Sequence, residues 1–259
     1  MLNPIQVREF FHLVFLRALV RSIPLSTFAL KGGANLRFFF GSIRYSEDMD
    51  IDVSGMAVHV LREKVMKVLE SSGLVDTLRT LGIEDLRLPD MARAKQTETV
   101  QRFKIGLLTS AGEDLATKIE FSRRGLDEGI RAEPVSADVL AVYRMPPIII
   151  PHYVARSAAL QKVRALFSRT QPQARDIFDL YLLSSQPEVL EADLGQGLVP
   201  SAVQRARDTI YSLGYQQYRD TVVSFLGPDD RMAYDSPQIW DEIRLRVLAM
   251  FEGGAHDDQ

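Results

Sequence analysis

Apolar residues recur at three-to-four spacing over residues 4–21, where Val7, Phe10, Phe11, Val14, Phe15 and Ala18 share one side of a helical projection. That spacing predicts an amphipathic helix ending before Pro24. A short apolar stretch, Phe28 to Leu30, then meets Lys31-Gly32-Gly33 and a second apolar segment, Ala34 to Phe40. A Gly pair at such a junction predicts a tight strand-to-helix turn. From Arg44 to Val53 the period drops to two, with Asp48, Asp50 and Asp52 alternating against Met49, Ile51 and Val53, as in a half-buried strand. Residues 57–70 return to a helical pattern that ends near Gly73.

Two further apolar-rich strands, Val100 to Thr109 and Leu115 to Phe121, flank the turn cluster Ser110-Ala111-Gly112-Glu113-Asp114 and should pair antiparallel. In the second, Leu115, Thr117, Ile119 and Phe121 fall on one face and Lys118 and Glu120 on the other. The Pro-rich run from Met145 to Pro151 forbids a helix and marks a domain boundary. Helical patterns follow at Tyr153 to Phe167, Arg175 to Leu183, Val203 to Leu213, Tyr218 to Phe225 and Gln238 to Phe251. The expected architecture is an α/β (α+β) domain with a small mixed sheet over residues 1–147, a helical domain over 148–252 and a disordered tail over 253–259.

Composition narrows the chemistry. The chain has 259 residues, 46% hydrophobic and 25% charged, enough to bury a core without staples. With no Cys there is no disulfide framework, thiolate metal site or cysteine nucleophile, and four His leave little room for a His-rich metal centre. The most apolar early stretch, Phe10 to Val20, is broken by His12 and Arg17, so neither a membrane span nor a signal peptide is expected, and a cytoplasmic protein is. A formal charge of -3 argues against coating nucleic acid by bulk charge. Any such contact must come from a local patch, and residues 153–175 offer one: Arg156, Lys162, Arg164, Arg169 and Arg175, with no acid among them.

Two carboxylates two residues apart on a strand project side by side, and with a third acid from a neighbouring strand they can hold a pair of Mg²⁺ or Mn²⁺ ions. Asp48, Asp50 and Glu120 meet that specification. Gly32 and Gly33, at a helix N-terminus, free backbone N–H groups for phosphate. A calcium-binding loop starting at Asp48 would need Gly at Val53 and Glu at His59, so that reading fails.

These blocks together, LKGGANLRFFFGSIRYSEDMDIDV, KIEFSRR and LQKVRALFSRTQPQARDIFDLYLL, resemble the AbiEii/AbiGii-type toxins, nucleotidyltransferases of the DNA polymerase beta-like superfamily found in toxin–antitoxin and phage-defence systems. The resemblance runs from Leu30 to Leu183, and the family's R-x-S-x-D-x-D segment is matched at Arg44, Ser46, Asp48 and Asp50. It implies the nucleotidyltransferase fold, with Lys31, Gly32, Gly33, Arg44, Ser46 and Lys162 on the nucleotide and Asp48, Asp50 and Glu120 on metal. It further implies that Lys162, with Asp176 or Asp179, completes the catalytic set from the helical domain. The Gly pair lies farther from Asp48 than is usual in the superfamily, Gly41-Ser42 is a closer second candidate for the phosphate turn, and Glu120 stands where Asp is commoner.

Blander readings compete at single positions. Lys162 reads equally as a solvated helix lysine, Asp179 as the i+4 partner of Arg175, and Phe38, Phe39 and Phe40 as core. The expected activity is Mg²⁺- or Mn²⁺-dependent transfer of a nucleoside monophosphate from an NTP to an acceptor hydroxyl, with RNA, and transfer RNA in particular, as the acceptor. A cognate antitoxin is the expected partner and no membrane is involved. The alternatives are transfer to a protein or small molecule, or a catalytically idle member that binds nucleotide or antitoxin.

Overall fold

The computed structural model describes residues 2–190, 194–195 and 198–251, so the expected tail over 253–259 lies outside the described residues. Two compact units divide the chain: one joins Met1–Gly41 with Tyr45–Tyr153, the other joins Ser42–Arg44 with the chain from Val154 onward. The division follows Tyr153 rather than residue 147 because Ile149–Tyr153, inside and just beyond the Pro-rich run, is a strand of the first unit's sheet.

The first unit runs α1 (Pro4–Leu19), β1 (Phe28–Lys31), α2 (Gly32–Phe39), β2 (Met49–Val53), α3 (Val58–Leu69), α4 (Ser72–Arg79), β3 (Ile83–Arg87), β4 (Val100–Thr109), β5 (Asp114–Ser122), β6 (Ile130–Pro134), α5 (Ala137–Val142) and β7 (Ile149–Tyr153). Helix α1 starts where Asn3 caps it: the Asn3 side chain accepts from Gln6 N at 3.0 Å and Gln6 Oε1 accepts from Asn3 N at 3.1 Å, with Pro4 in the first turn. Its apolar stripe buries Phe10, Phe11, Val14 and Phe15. Each such side chain contributes about 1.5–3 kcal/mol when fully removed from water. The helix also buries two polar groups. Glu9 accepts from Arg37 Nε at 2.7 Å and from the Tyr143 hydroxyl at 2.8 Å, and His12 Nε2 lies 2.9 Å from Thr117 Oγ1.

The sheet has seven strands in the order β3-β4-β5-β2-β1-β7-β6. It is mixed: β2 pairs parallel with β5 and β1 parallel with β7, and the remaining neighbours are antiparallel. Alternation sorts its centre into two faces. Met49, Ile51, Phe103, Ile105, Ile119 and Phe121 are buried in the core, whereas Asp50, Arg102, Lys104, Lys118 and Glu120, at the intervening positions, face the other way. The run expected to be a strand from Arg44 begins only at Met49, because Arg44 lies in the second unit and the Ser46 hydroxyl turns the loop by donating to the Asp48 carbonyl at 2.7 Å. Gly73 lies inside α4, one short loop beyond the end of α3.

The second unit is helical among the described residues: α6 (Ala155–Ser168), α7 (Ala174–Leu183), α8 (Pro187–Leu190), α9 (Pro200–Ser212), α10 (Tyr215–Thr221), α11 (Pro228–Tyr234) and α12 (Pro237–Ala249). Helix α7 packs against α6, α10 and α12. Trp240 on α12 stacks on Tyr218 with centroids 4.6 Å apart, and its indole N–H donates to the Leu213 carbonyl at 3.0 Å, so the buried ring leaves no orphan donor. Arg44 bridges to Leu226 in this unit.

Candidate active site

Strand β1 ends at Lys31 in extended backbone, and Gly32 opens α2 with φ of 68°. Two constraints require glycine there. The left-handed backbone disfavours any side chain, and a Cβ on Gly32 would lie 2.9 Å from Asp50 Oδ2. Lys31 at the N-cap makes no side-chain cap hydrogen bond, and among the described residues no side chain accepts from the Gly33 N–H in the first turn of α2. The helix is fixed from behind: Asn35 donates to the Tyr153 carbonyl at 2.9 Å and its Oδ1 lies 3.0 Å from His152 Nδ1. Burial holds the His152 pKa below its usual value, against the raising effect of Glu133. Phe39 stacks on this imidazole at 3.5 Å and Phe38 is buried in the core. Gly41, the second candidate turn, also has positive φ, but the Ser42 hydroxyl accepts from Arg44 N at 3.2 Å in a local turn.

Cross-strand register lines the acids up on the face opposite the core. Arg102 of β4 is opposite Glu120 of β5, Glu120 is beside Asp50 of β2, and Asp50 is opposite Lys31 of β1. Glu120 accepts from Arg102 Nε at 2.8 Å, and Asp48, just ahead of β2, pairs with Lys118 at 2.9 Å. Asp50 forms no ion pair among the described residues. Desolvation pushes its pKa up, Lys31 opposes that, Glu120 raises it again, and Lys118 and Asp48 act more weakly in opposite senses. The third acid of the alternation, Asp52, takes a different part: it binds the Lys31 ammonium and accepts from the Tyr153 hydroxyl at 2.8 Å.

As they stand, no three His, Asp or Glu side chains among the described residues are gathered closely enough to hold a metal ion. The chemistry of the donor set nonetheless fits a hard divalent cation. The donors are all carboxylate oxygens, two come from one strand and its lead-in, and a third sits at the adjacent register position. Asp50, crowded by Glu120 and Asp48, is the group a cation would relieve. Arg102 holds Glu120 through Oε2 and would compete with a cation for that oxygen.

Beside Asp48 a cavity of about 740 Å³ lies over β4 and β5, walled by residues of the 87–95 segment, with Arg102, Lys104, Gly106, Ala116 and Lys118 among its lining.

In the second unit, α6 and α7 form a buried charge cluster. The Lys162 ammonium lies 2.6 Å from Asp179 Oδ2 and 3.0 Å from Asp176 Oδ1. Arg44 reaches Asp179 at 3.0 Å, and Arg169 Nε lies 2.9 Å from Asp176 Oδ2. Burial alone would lower the Lys162 pKa, but Asp179 and Asp176 hold the ammonium above its usual range. Burial would likewise raise Asp179, yet Arg44 and Lys162 keep it below the usual carboxylate range. Asp179 is therefore a partner of Arg44 and Lys162, not of Arg175, and Lys162 is not a solvated lysine. Of the basic run, Arg156, Arg164, Arg169 and Arg175 are exposed.

The resemblance implied one catalytic set, with Lys162 and Asp176 or Asp179 completing Asp48, Asp50 and Glu120; the structure brings Lys31, Gly32, Asp48, Asp50 and Glu120 together within the first unit, and Lys162, Asp176 and Asp179 within the second. The resemblance placed Arg44 and Ser46 on nucleotide, whereas here the Arg44 guanidinium is spent on Asp179 and the Ser46 hydroxyl on the Asp48 carbonyl. Sequence reasoning missed Arg102, Asp52 and Tyr153. Alternation could have put Arg102 on the polar face, but its partner Glu120 emerges only from the strand register.

Comparison with known proteins shows the family and the fold. The family described as the nucleotidyl transferase AbiEii toxin of type IV toxin–antitoxin systems matches residues 14–242. No curated protein matches the chain. Among solved structures, JHP933 from Helicobacter pylori is similar at 17% identity and a TM-score of 0.58, over 99% of this chain and 97% of that one. MenT4, a nucleotidyltransferase toxin from Mycobacterium tuberculosis, is similar at 17% identity and a TM-score of 0.54, over 100% of this chain and 91% of that one. Such identities carry the fold alone, but the family match spans most of the chain, the carboxylate strand and the glycine turn included, and the chain belongs to the AbiEii nucleotidyltransferase toxins.

Proposed function

We propose that this toxin transfers a nucleoside monophosphate from an NTP to a hydroxyl of RNA, with transfer RNA the expected acceptor, in the cytoplasm and under the control of a cognate antitoxin. The observation that supports it best is the row Lys31, Asp50 and Glu120, with Gly32 backed against Asp50. The uncapped first turn of α2 offers backbone N–H groups to the triphosphate, and Lys31, steadied by Asp52, adds a positive charge beside them. In the transfer an acceptor hydroxyl oxygen bonds to the α-phosphorus. The bond from that phosphorus to the bridging oxygen breaks and pyrophosphate leaves with its electrons, while the hydroxyl proton passes to a carboxylate of the Asp50–Glu120 pair. Mg²⁺ or Mn²⁺, held by Asp48 and Asp50 with Glu120 as third ligand, would supply charge neutralisation and activation of the hydroxyl.

The test is incubation of purified protein and Mg²⁺ with each α-³²P-labelled NTP in turn and total RNA. Label should enter RNA from at least one NTP and be absent with chelator. Label found only in protein would support protein as the acceptor instead.

A further inference from the structure

We infer that the cavity over β4 and β5 is the seat of the acceptor strand, holding the backbone phosphates of a single-stranded RNA segment that leads to the reacting hydroxyl. The identity of the acceptor rests on the function proposed above; the site itself rests on the sheet. Its floor follows from register. Lys104 is directly opposite Lys118, and Gly106 directly opposite Ala116, with Arg87 of β3 opposite Gly106 on the far side. Like charges directly opposite on neighbouring strands destabilise a sheet. Lys118 is partly offset by Asp48, whereas Lys104 and Lys95 pair with no carboxylate among the described residues.

Six cations line the cavity, of which Arg87, Arg93, Arg102 and Lys118 are paired with Asp114, Asp90, Glu120 and Asp48, so that Lys95 and Lys104 are its unpaired charges among the described residues. That is a positive concavity in a chain whose formal charge is -3, which concentrates a polyanion locally. The Arg87–Asp114 pair lies over Gly106, which has no side chain to exclude it, while Ala116 leaves the neighbouring floor low and Leu88 and Pro89 add apolar surface. A nucleotide strand uses both features, the cations for phosphate and the apolar wall for bases. An acidic peptide would use only the cations. Asp48 lines the same cavity, so a strand lying along it ends at the carboxylates.

Binding of a fluorescein-labelled single-stranded RNA, followed by anisotropy at rising NaCl, tests this with the full chain and the double variant Lys95→Gln, Lys104→Gln. Both side chains are exposed, and melting temperatures check that the variant is folded. The double variant should bind about tenfold more weakly at low salt. Its slope of log affinity against log salt should fall by about 1.4, two contacts at about 0.7 each for single strands. Unchanged affinity and slope would overturn the inference, as would a wild type that does not bind RNA. A poly-glutamate competitor that displaces the RNA charge for charge would overturn it in favour of an acidic protein. Nucleotide transfer is scored separately. A wild type that binds RNA with the expected slope but transfers nothing refutes the proposed activity and leaves the site standing, whereas transfer to RNA with no effect of the double variant on binding does the reverse.

Discussion

Gly32 and Lys162 each carry more than their residue type suggests. At Gly32 the positive φ and the nearness of Asp50 Oδ2 act together, so Gly32→Ala should lower stability by about 1–2 kcal/mol and displace Asp50. Nucleotide transfer should then fall further than the melting temperature implies, which parallel assays would show. Lys162 holds two buried carboxylates. Lys162→Met leaves both without it and should destabilise the helical unit by about 3–5 kcal/mol, measured by urea unfolding followed by tryptophan fluorescence, since Trp240, the chain's one Trp, lies in that unit. An unchanged midpoint would mean that Arg44 and Arg169 satisfy the pair alone. His12 sets a pH dependence. The Thr117 hydroxyl donates to the Glu47 carbonyl at 2.7 Å and so accepts from His12 Nε2–H, which fixes the neutral tautomer. Burial, with Arg8 adding to it, lowers the pKa to about 3 from 6.5. The folded state thus binds the proton more weakly than the unfolded one. Its stabilising contribution is complete above about pH 6.5 and is lost as pH falls towards 3, at about 1.4 kcal/mol per pH unit for one proton. Replacing it by His12→Asn should flatten that part of the stability profile.

At the scale of elements, what could be read ahead of the structure depended on whether the signal was local. The β4–β5 hairpin, β2 and the β1–α2 turn came from alternation and a Gly pair, which neighbouring residues encode by themselves, and the polar face of β5 came with them. Strand β7 did not, because Pro146, Pro147 and Pro151 read as interruption. Pro151 nonetheless lies within β7, opposite Ala132 of β6, in a strand that registers with β1 only at Leu30↔His152. Arg44 shows the opposite limit. Its partner Asp179 is distant in sequence, and no spacing rule links them, so an arginine placed by motif on nucleotide is found on a buried carboxylate. The acids of the candidate site were legible one by one, yet their lateral partners, Arg102 and Lys118, follow from which strands are neighbours. Removing one such tie, Arg102→Met, should free Glu120 and lower the Mg²⁺ concentration needed for half-maximal transfer severalfold, read from a metal titration.

For the whole molecule, family membership and the carboxylate row lead to one expectation in cells: expressed without a partner antitoxin, the chain should slow bacterial growth, and Asp48→Ala should relieve the effect at equal protein level. Equal slowing by both would mean that growth is limited by binding or aggregation and not by catalysis. The measurement closest to the central claim uses wild type and Asp50→Asn, side by side, with α-³²P-labelled NTPs, Mg²⁺ and total RNA, after circular dichroism has shown both folded. Wild type should label RNA, and Asp50→Asn should fall by a hundredfold or more, since loss of an ion-site charge weakens transition-state stabilisation by about 3 kcal/mol or more. A folded Asp50→Asn protein that labels RNA as fast as wild type would contradict the account.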